Sequence, residues 1–108
     1  MSDFKDKGNA ALKSGDLNAA LGFYSQAINS EPANHIHYSN RSLCHFKMGN
    51  FAKASEDASK CIELNKSWSK GYQRRGAAEA KLGNSWNSLV SYSYGSIYDP
   101  DNAAINEE

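Results

Sequence analysis

The chain is built on a 34-residue period. Phe4, Tyr38 and Tyr72 are spaced by 34 residues, and so are Gly15, Gly49 and Gly83. Gly8, Ser42 and Gly76 form a register of small residues, and Ala20, Ala54 and Ser88 form another. Pro32 and Pro100 stand two periods apart, with Lys66 in the slot between them. Registers that agree over three copies leave few architectures open. Each copy is one supersecondary unit, and it buries its apolar face only against the next copy.

Each unit reads as two helices. In the first, Phe4 to Lys13 contains Ala10, Ala11 and Leu12 and no proline. Gly15 then stops the helix and Asp16 caps the next one. Leu17, Leu21, Tyr24 and Ile28 follow at helical spacing as one apolar stripe, and Pro32 ends the second helix. Gly49 with Asn50, and Gly83 with Asn84, repeat the stop and cap. Small side chains at Gly8, Ala20 and Ala27 let two helices cross closely. The aromatics Phe4, Tyr24, Tyr38, Tyr72 and Tyr92 are expected to fill the layer between helix pairs. The predicted fold is all-α: an α-solenoid of three helix–turn–helix repeats, about six helices, with units near 1–34, 35–68 and 69–102. Residues 103–108 would begin a partial capping helix, and 1–108 would form one domain. The period and the unit resemble the tetratricopeptide repeat. The second helix of the third unit, serine-rich and interrupted by Gly95, is predicted to be the weakest, because serine and glycine are poor helix-interior residues.

Composition excludes several functions. Among 108 residues, 12 Lys and Arg balance 12 Asp and Glu, so the chain lacks the positive field of a general nucleic-acid or membrane-surface binder. No apolar stretch is long enough to span a bilayer, and the N-terminus has no secretory apolar region. The expected location is the cytoplasm. Cys44 and Cys61 form no CxxC pair and read as buried thiols. His35, His37 and His45 match no metal or nucleophile motif, and His35 and His37 read as ordinary polar residues at a helix start. No enzyme activity and no cofactor are expected.

What remains is the groove lined by the first helix of each pair. Lys70 and Arg74 lie four residues apart on one helical face, a spacing at which like charges cost an isolated helix about 0.2–0.5 kcal/mol. Lys5 and Asn9 share a face in unit one, and Asn40 lies in the corresponding helix of unit two. Taken in register, these five drift along three adjacent helices toward one spot. Lysine offers three donors, arginine a planar fork and asparagine an amide. Together they suit anionic oxygens, which explains two cations on one face of a neutral chain. Lys53, Lys60 and Lys81 read instead as solvated surface.

The stretches KDKGNAAL, HYSNRSLC and SWSKGYQRRGAA resemble the carboxylate-clamp tetratricopeptide domains of Hsp70/Hsp90 co-chaperones, and most closely the N-terminal TPR1 domain of the Hop/Sti1 family. The resemblance implies a clamp of Lys5, Asn9, Asn40, Lys70 and Arg74. In the family such a clamp holds the terminal aspartate of a chaperone tail ending EEVD. The implied partner is the Hsp70 tail, with the Hsp90 tail as a second candidate, chosen through apolar contacts upstream of EEVD. Leu12, Leu43, Phe46 and Lys47 are expected beside the clamp. Leu43 and Phe46 depart from the small residues often found in those slots, and so either narrow the peptide channel, shift tail preference or pack between helix pairs. Two other readings use the same fold: a regulatory or targeting domain of a phosphatase or peptidyl-prolyl isomerase, and a scaffold for internal peptide segments.

Overall fold

The computed structural model describes residues 2–98. Pro100 and the expected capping segment 103–108 lie outside the described residues. Six helices follow one another: α1 (Ser2–Ser14), α2 (Leu17–Ser30), α3 (His35–Lys47), α4 (Phe51–Leu64), α5 (Ser69–Lys81) and α6 (Ser85–Tyr98). The described residues contain no strand. Each odd-numbered helix packs on the even-numbered one that follows it, and α4 and α2 pack on the next pair. Among the described residues no helix is long and apolar enough to cross a membrane.

The turns inside the pairs show why glycine recurs at 34-residue intervals. Gly15, Gly49 and Gly83 have φ of 87°, 84° and 82°, a left-handed conformation that strains any residue with a Cβ. The next residue's N–H then bonds back to the helix: Asp16 to the Ala11 carbonyl at 2.9 Å, Asn50 to His45 at 2.8 Å, Asn84 to Glu79 at 2.9 Å. This satisfies carbonyls the helix end would leave orphaned. The Asp16 side chain caps α2 by accepting from the Ala19 N–H at 3.1 Å. Asn50 occupies the equivalent cap position but makes no side-chain cap bond. A cap not anticipated from the sequence is Asn34, which accepts from the Ile36 N–H at 3.0 Å and starts α3.

The small-residue register has a definite partner. A Cβ at Gly8 would lie 2.5 Å from the Tyr24 ring, and one at Gly76 would lie 3.0 Å from Tyr92. Tyr24 and Tyr92 therefore pack inside their own helix pairs, and Tyr24 also joins the next pair, where it clusters with Cys44 as expected. Within a pair the reason is local: a ring and a missing Cβ meet where two helices cross. In the middle pair the register carries Ser42 against the Ala54 carbonyl, 2.7 Å from its hydroxyl, and Ala58 stands where the other pairs have tyrosine. Tyr38 does join two pairs, clustering with Ile28 and Cys61 beside Leu64 and Trp68.

Two readings change. His37 is not an ordinary polar residue at a helix start: it is buried, with Nε2 2.7 Å from Glu31 Oε1. The slot shared by Pro32, Lys66 and Pro100 tolerates lysine because its backbone does the work. Tyr38 donates to the Pro32 carbonyl at 3.0 Å, and Tyr72 donates to the Lys66 carbonyl at 2.7 Å. Cys44 and Cys61 are buried free thiols. Burial raises both, Cys61 to about 11, so both stay protonated at neutral pH.

Candidate functional site

The helices α1, α3 and α5 run in the same direction, because each is returned by an antiparallel partner. Their facing surfaces form one groove. Lys5, Asn9, Asn40, Lys70 and Arg74 come from the first two-thirds of these three helices, whereas Leu12, Phe46, Lys47 and Lys81 come from the C-terminal ends.

Between α1 and α3 lies a cavity of about 690 Å³ lined by Asn9, Ala10, Leu12, Lys13 and Lys47. Between α3 and α5 lies one of about 240 Å³ lined by Ser42, Leu43, Phe46, Gln73, Arg74 and Ala77. The groove thus brings Asn9, Leu12 and Lys47 to one opening, and Leu43, Phe46 and Arg74 to its neighbour. Lys5 and Asn40 are half-buried on the same helices, and Lys70 is exposed.

Asn9 is not a loose amide. Its Oδ1 accepts a 2.6 Å hydrogen bond from the Tyr24 hydroxyl, so the NH₂ end is the part left to donate. Burial raises the Tyr24 hydroxyl to about 12; Cys44 adds to the rise, and the charge of Arg74 opposes it. Tyr24 therefore remains a donor across the physiological range. Arg74 also opposes the burial-driven rise at Cys61. Arg74 on α5 thus lies near Tyr24 on α2, whose hydroxyl holds the Asn9 amide on α1. Burial near an open groove is also where a guanidinium fork gains most from an anionic ligand.

Leu43 and Phe46 serve the wall of the groove. Phe46 packs edge-on against Phe51, with ring centroids 5.3 Å apart, which limits its freedom to swing aside. It also borders a further cavity of about 400 Å³, lined by Ala77, Ala80, Lys81, Ser88, Leu89 and Tyr92. Sequence reasoning missed Tyr24 as the support of Asn9 and missed α6 as a wall of the groove. The second had no signal in the sequence, because α6 borders the cavity through side chains that meet α5 and Phe46 in space, which spacing along the chain does not encode.

A tetratricopeptide-repeat family profile matches residues 38–67. The chain is similar to the heat shock protein sti1 homolog of Schizosaccharomyces pombe, at 41% identity over 95% of this chain and 17% of that protein. It spans less than a fifth of the length of the first curated relatives it matches. It is also similar to the first tetratricopeptide domain of Spaghetti (RPAP3) bound to the HSP90 peptide SRMEEVD, with a TM-score of 0.94 and 30% identity, over 96% of this chain and 85% of the other. The second such domain of human RPAP3, in complex with the HSP70 peptide SGPTIEEVD, matches with a TM-score of 0.91 and 28% identity, over 96% and 87% of the two chains.

Proposed function

We propose a function from one premise: the chain belongs to the tetratricopeptide-repeat family. It acts as a co-chaperone adaptor domain that captures the acidic C-terminal tail of Hsp70, and of Hsp90 as a second partner, in the groove of α1, α3 and α5. The observation that carries this reading is the kinship with the sti1 homolog over 95% of the chain, supported by cavities lined by Asn9 and by Arg74, with Lys5, Asn40 and Lys70 on the same three helices. Related domains of the same fold hold peptides ending EEVD.

On this reading the terminal aspartate lies in the first half of the groove. Its α-carboxylate and side chain accept hydrogen bonds from the Lys5 and Lys70 ammonium groups, the Asn9 and Asn40 amides and the Arg74 fork. No bond is made or broken, so the domain does no catalysis and takes no cofactor. Hydrogen bonds to charged groups contribute about 1.5–3 kcal/mol each, and ordering a flexible tail offsets part of the sum. Affinity near micromolar, about −8 kcal/mol, follows. Capture of a C-terminal carboxylate is a known mode of peptide recognition. The same reading puts the domain in the cytoplasm, and the units near 1–34, 35–68 and 69–102 act as one binding module.

The test is a calorimetric titration with SGPTIEEVD and SRMEEVD, each as the free acid and as the C-terminal amide. The clamp requires binding of the free acids and loss of binding with the amides. Equal binding of acid and amide would favour a scaffold for internal segments and sink the clamp.

A further inference from the structure

The groove does not stop at Phe46. The cavity between α3 and α5 and the one that reaches α6 share Phe46 and Ala77, so Phe46 stands as a partition in a continuous trough. The far compartment is apolar on its α6 side, where Leu89 is 62% exposed, and its one charged lining residue is Lys81. Lys81 reads from the sequence as solvated surface, yet it borders the compartment that a tail anchored at Lys70 and Arg74 would enter if it ran along α5.

The register can be counted. Lys70 and Lys81 are both on α5, eleven residues apart, which at about 1.5 Å per residue separates them by roughly 16 Å along the axis. An extended peptide advances about 3.3 Å per residue. A terminal residue held level with Lys70 therefore brings the sixth residue from the C-terminus level with Lys81. In SGPTIEEVD that sixth residue is threonine, preceded by proline. In SRMEEVD it is arginine. A cation there would face the cation of Lys81, whereas threonine would face it without repulsion, beside Leu89 and Tyr92 of the same cavity.

We infer that Lys81 and the α6 wall form a selectivity site that rejects a cation at the sixth residue from the ligand's C-terminus and accepts a neutral or acidic residue there. This rests on the clamp reading above and deepens it, since it selects between two tails that end in the same four residues. Selection works by placing a like charge against the wrong ligand. Exposed charge pairs shift affinity by roughly two- to fivefold.

The experiment compares SRMEEVD with its Arg→Thr analogue, STMEEVD, at low and high salt, on the wild-type chain and on Lys81→Glu. Lys81 is exposed, so this variant should fold, and circular dichroism of the same samples checks that it has. The wild type should bind STMEEVD roughly two- to fivefold more tightly at low salt, and the difference should shrink at high salt. Lys81→Glu should reverse the order. Lys53→Glu, on α4 beside Leu21, Ser25 and Arg41, carries the same change of net charge and should move both peptides by the same factor. A peptide ratio identical in wild type and Lys81→Glu, with both still bound, would overturn the inference and leave the clamp standing. Failure of both free acids to bind the folded wild type would overturn the clamp and this inference with it.

Discussion

Arg74 and Tyr24 show how much of the groove depends on single side chains. Truncating Lys70 or Arg74 to alanine should cost roughly ten- to hundredfold in peptide affinity, because each removes charge-assisted bonding and leaves a ligand carboxylate unmet. Far-ultraviolet circular dichroism should be unchanged, since Lys70 is exposed and neither residue caps a helix; retained affinity in both variants would count against the clamp. Tyr24→Phe tests the support beneath. It keeps the ring over Gly8 but removes the 2.6 Å bond to Asn9, so affinity should fall by roughly threefold to tenfold, the worth of one ordinary hydrogen bond. Asn9→Ala should cost no more in a Tyr24→Phe background than the difference between the two, a coupling that a purely structural tyrosine would not show. His45 supplies a pH prediction. Burial lowers its pKa below 6.5, with Arg41 and Lys53 helping and Asp57 and Glu56 opposing. The unfolded chain then takes up the proton first, so stability is full above about pH 6.5 and declines as pH falls below it toward the depressed value. His45→Gln should flatten that decline; a wild-type Tm that rises on acidification from pH 7 to 5 would contradict it.

The helix pairs are held by interactions that trade places between copies. Arg41 grips Asp57 through Nε at 2.7 Å and through its terminal nitrogen at 2.9 Å, with His45 Nε2 3.7 Å from the same carboxylate. One period later, Arg75 donates to the Ser91 hydroxyl at 2.9 Å and Ser91 donates to Glu79 at 2.7 Å. The carboxylate has moved from the second helix of the pair to the first, into the register held by His45. The crossing hydroxyl moves as well: Ser42 on α3 reaches Ala54, whereas Ser88 on α6 reaches Gly76. The second and third pairs thus each keep one bridging hydroxyl and one arginine anchor by different residues. Asp57→Ala should cost about 3 kcal/mol in urea unfolding, because it strands a half-buried guanidinium. Gly8→Ala should cost about 1–3 kcal/mol through the clash with Tyr24. In a Tyr24→Ala background the same change should turn neutral or favourable, since alanine is the better helix former by about 1 kcal/mol. A clash cost that persists without the ring would refute the packing account.

In the stacked molecule, stability is a sum of units and of the interfaces between them. The middle pair has neighbours on both sides, and α4 buries Ala54, Ala58, Cys61 and Ile62. On α6, Trp86, Leu89 and Ile97 are 73%, 62% and 68% exposed, and glycine and serines lower its intrinsic helicity. Amide exchange should therefore be slowest in α4 and fastest, among the even-numbered helices, in α6; the reverse order would refute this ranking. The 34-residue period, the glycine turns and the Asp16 cap were legible in the chain because they are local. A positive φ needs glycine, an orphan N–H needs a nearby acceptor, and both demands repeat wherever the unit repeats. Helical spacing alone puts Lys5 with Asn9, and Lys70 with Arg74, on one face each, and the repeat register adds Asn40 as a candidate. Side-chain partners across helices were not legible. That Tyr24 lies over Gly8 and holds Asn9, that His37 is buried against Glu31, and that Lys81 and α6 border the groove depend on how helices cross within and between pairs. Sequence determined which surfaces must meet, because periodicity sets faces and turns. Only the tertiary structure decided which atoms meet there, because contacts between helices depend on crossing angle and side-chain volume, and no spacing along one chain encodes those.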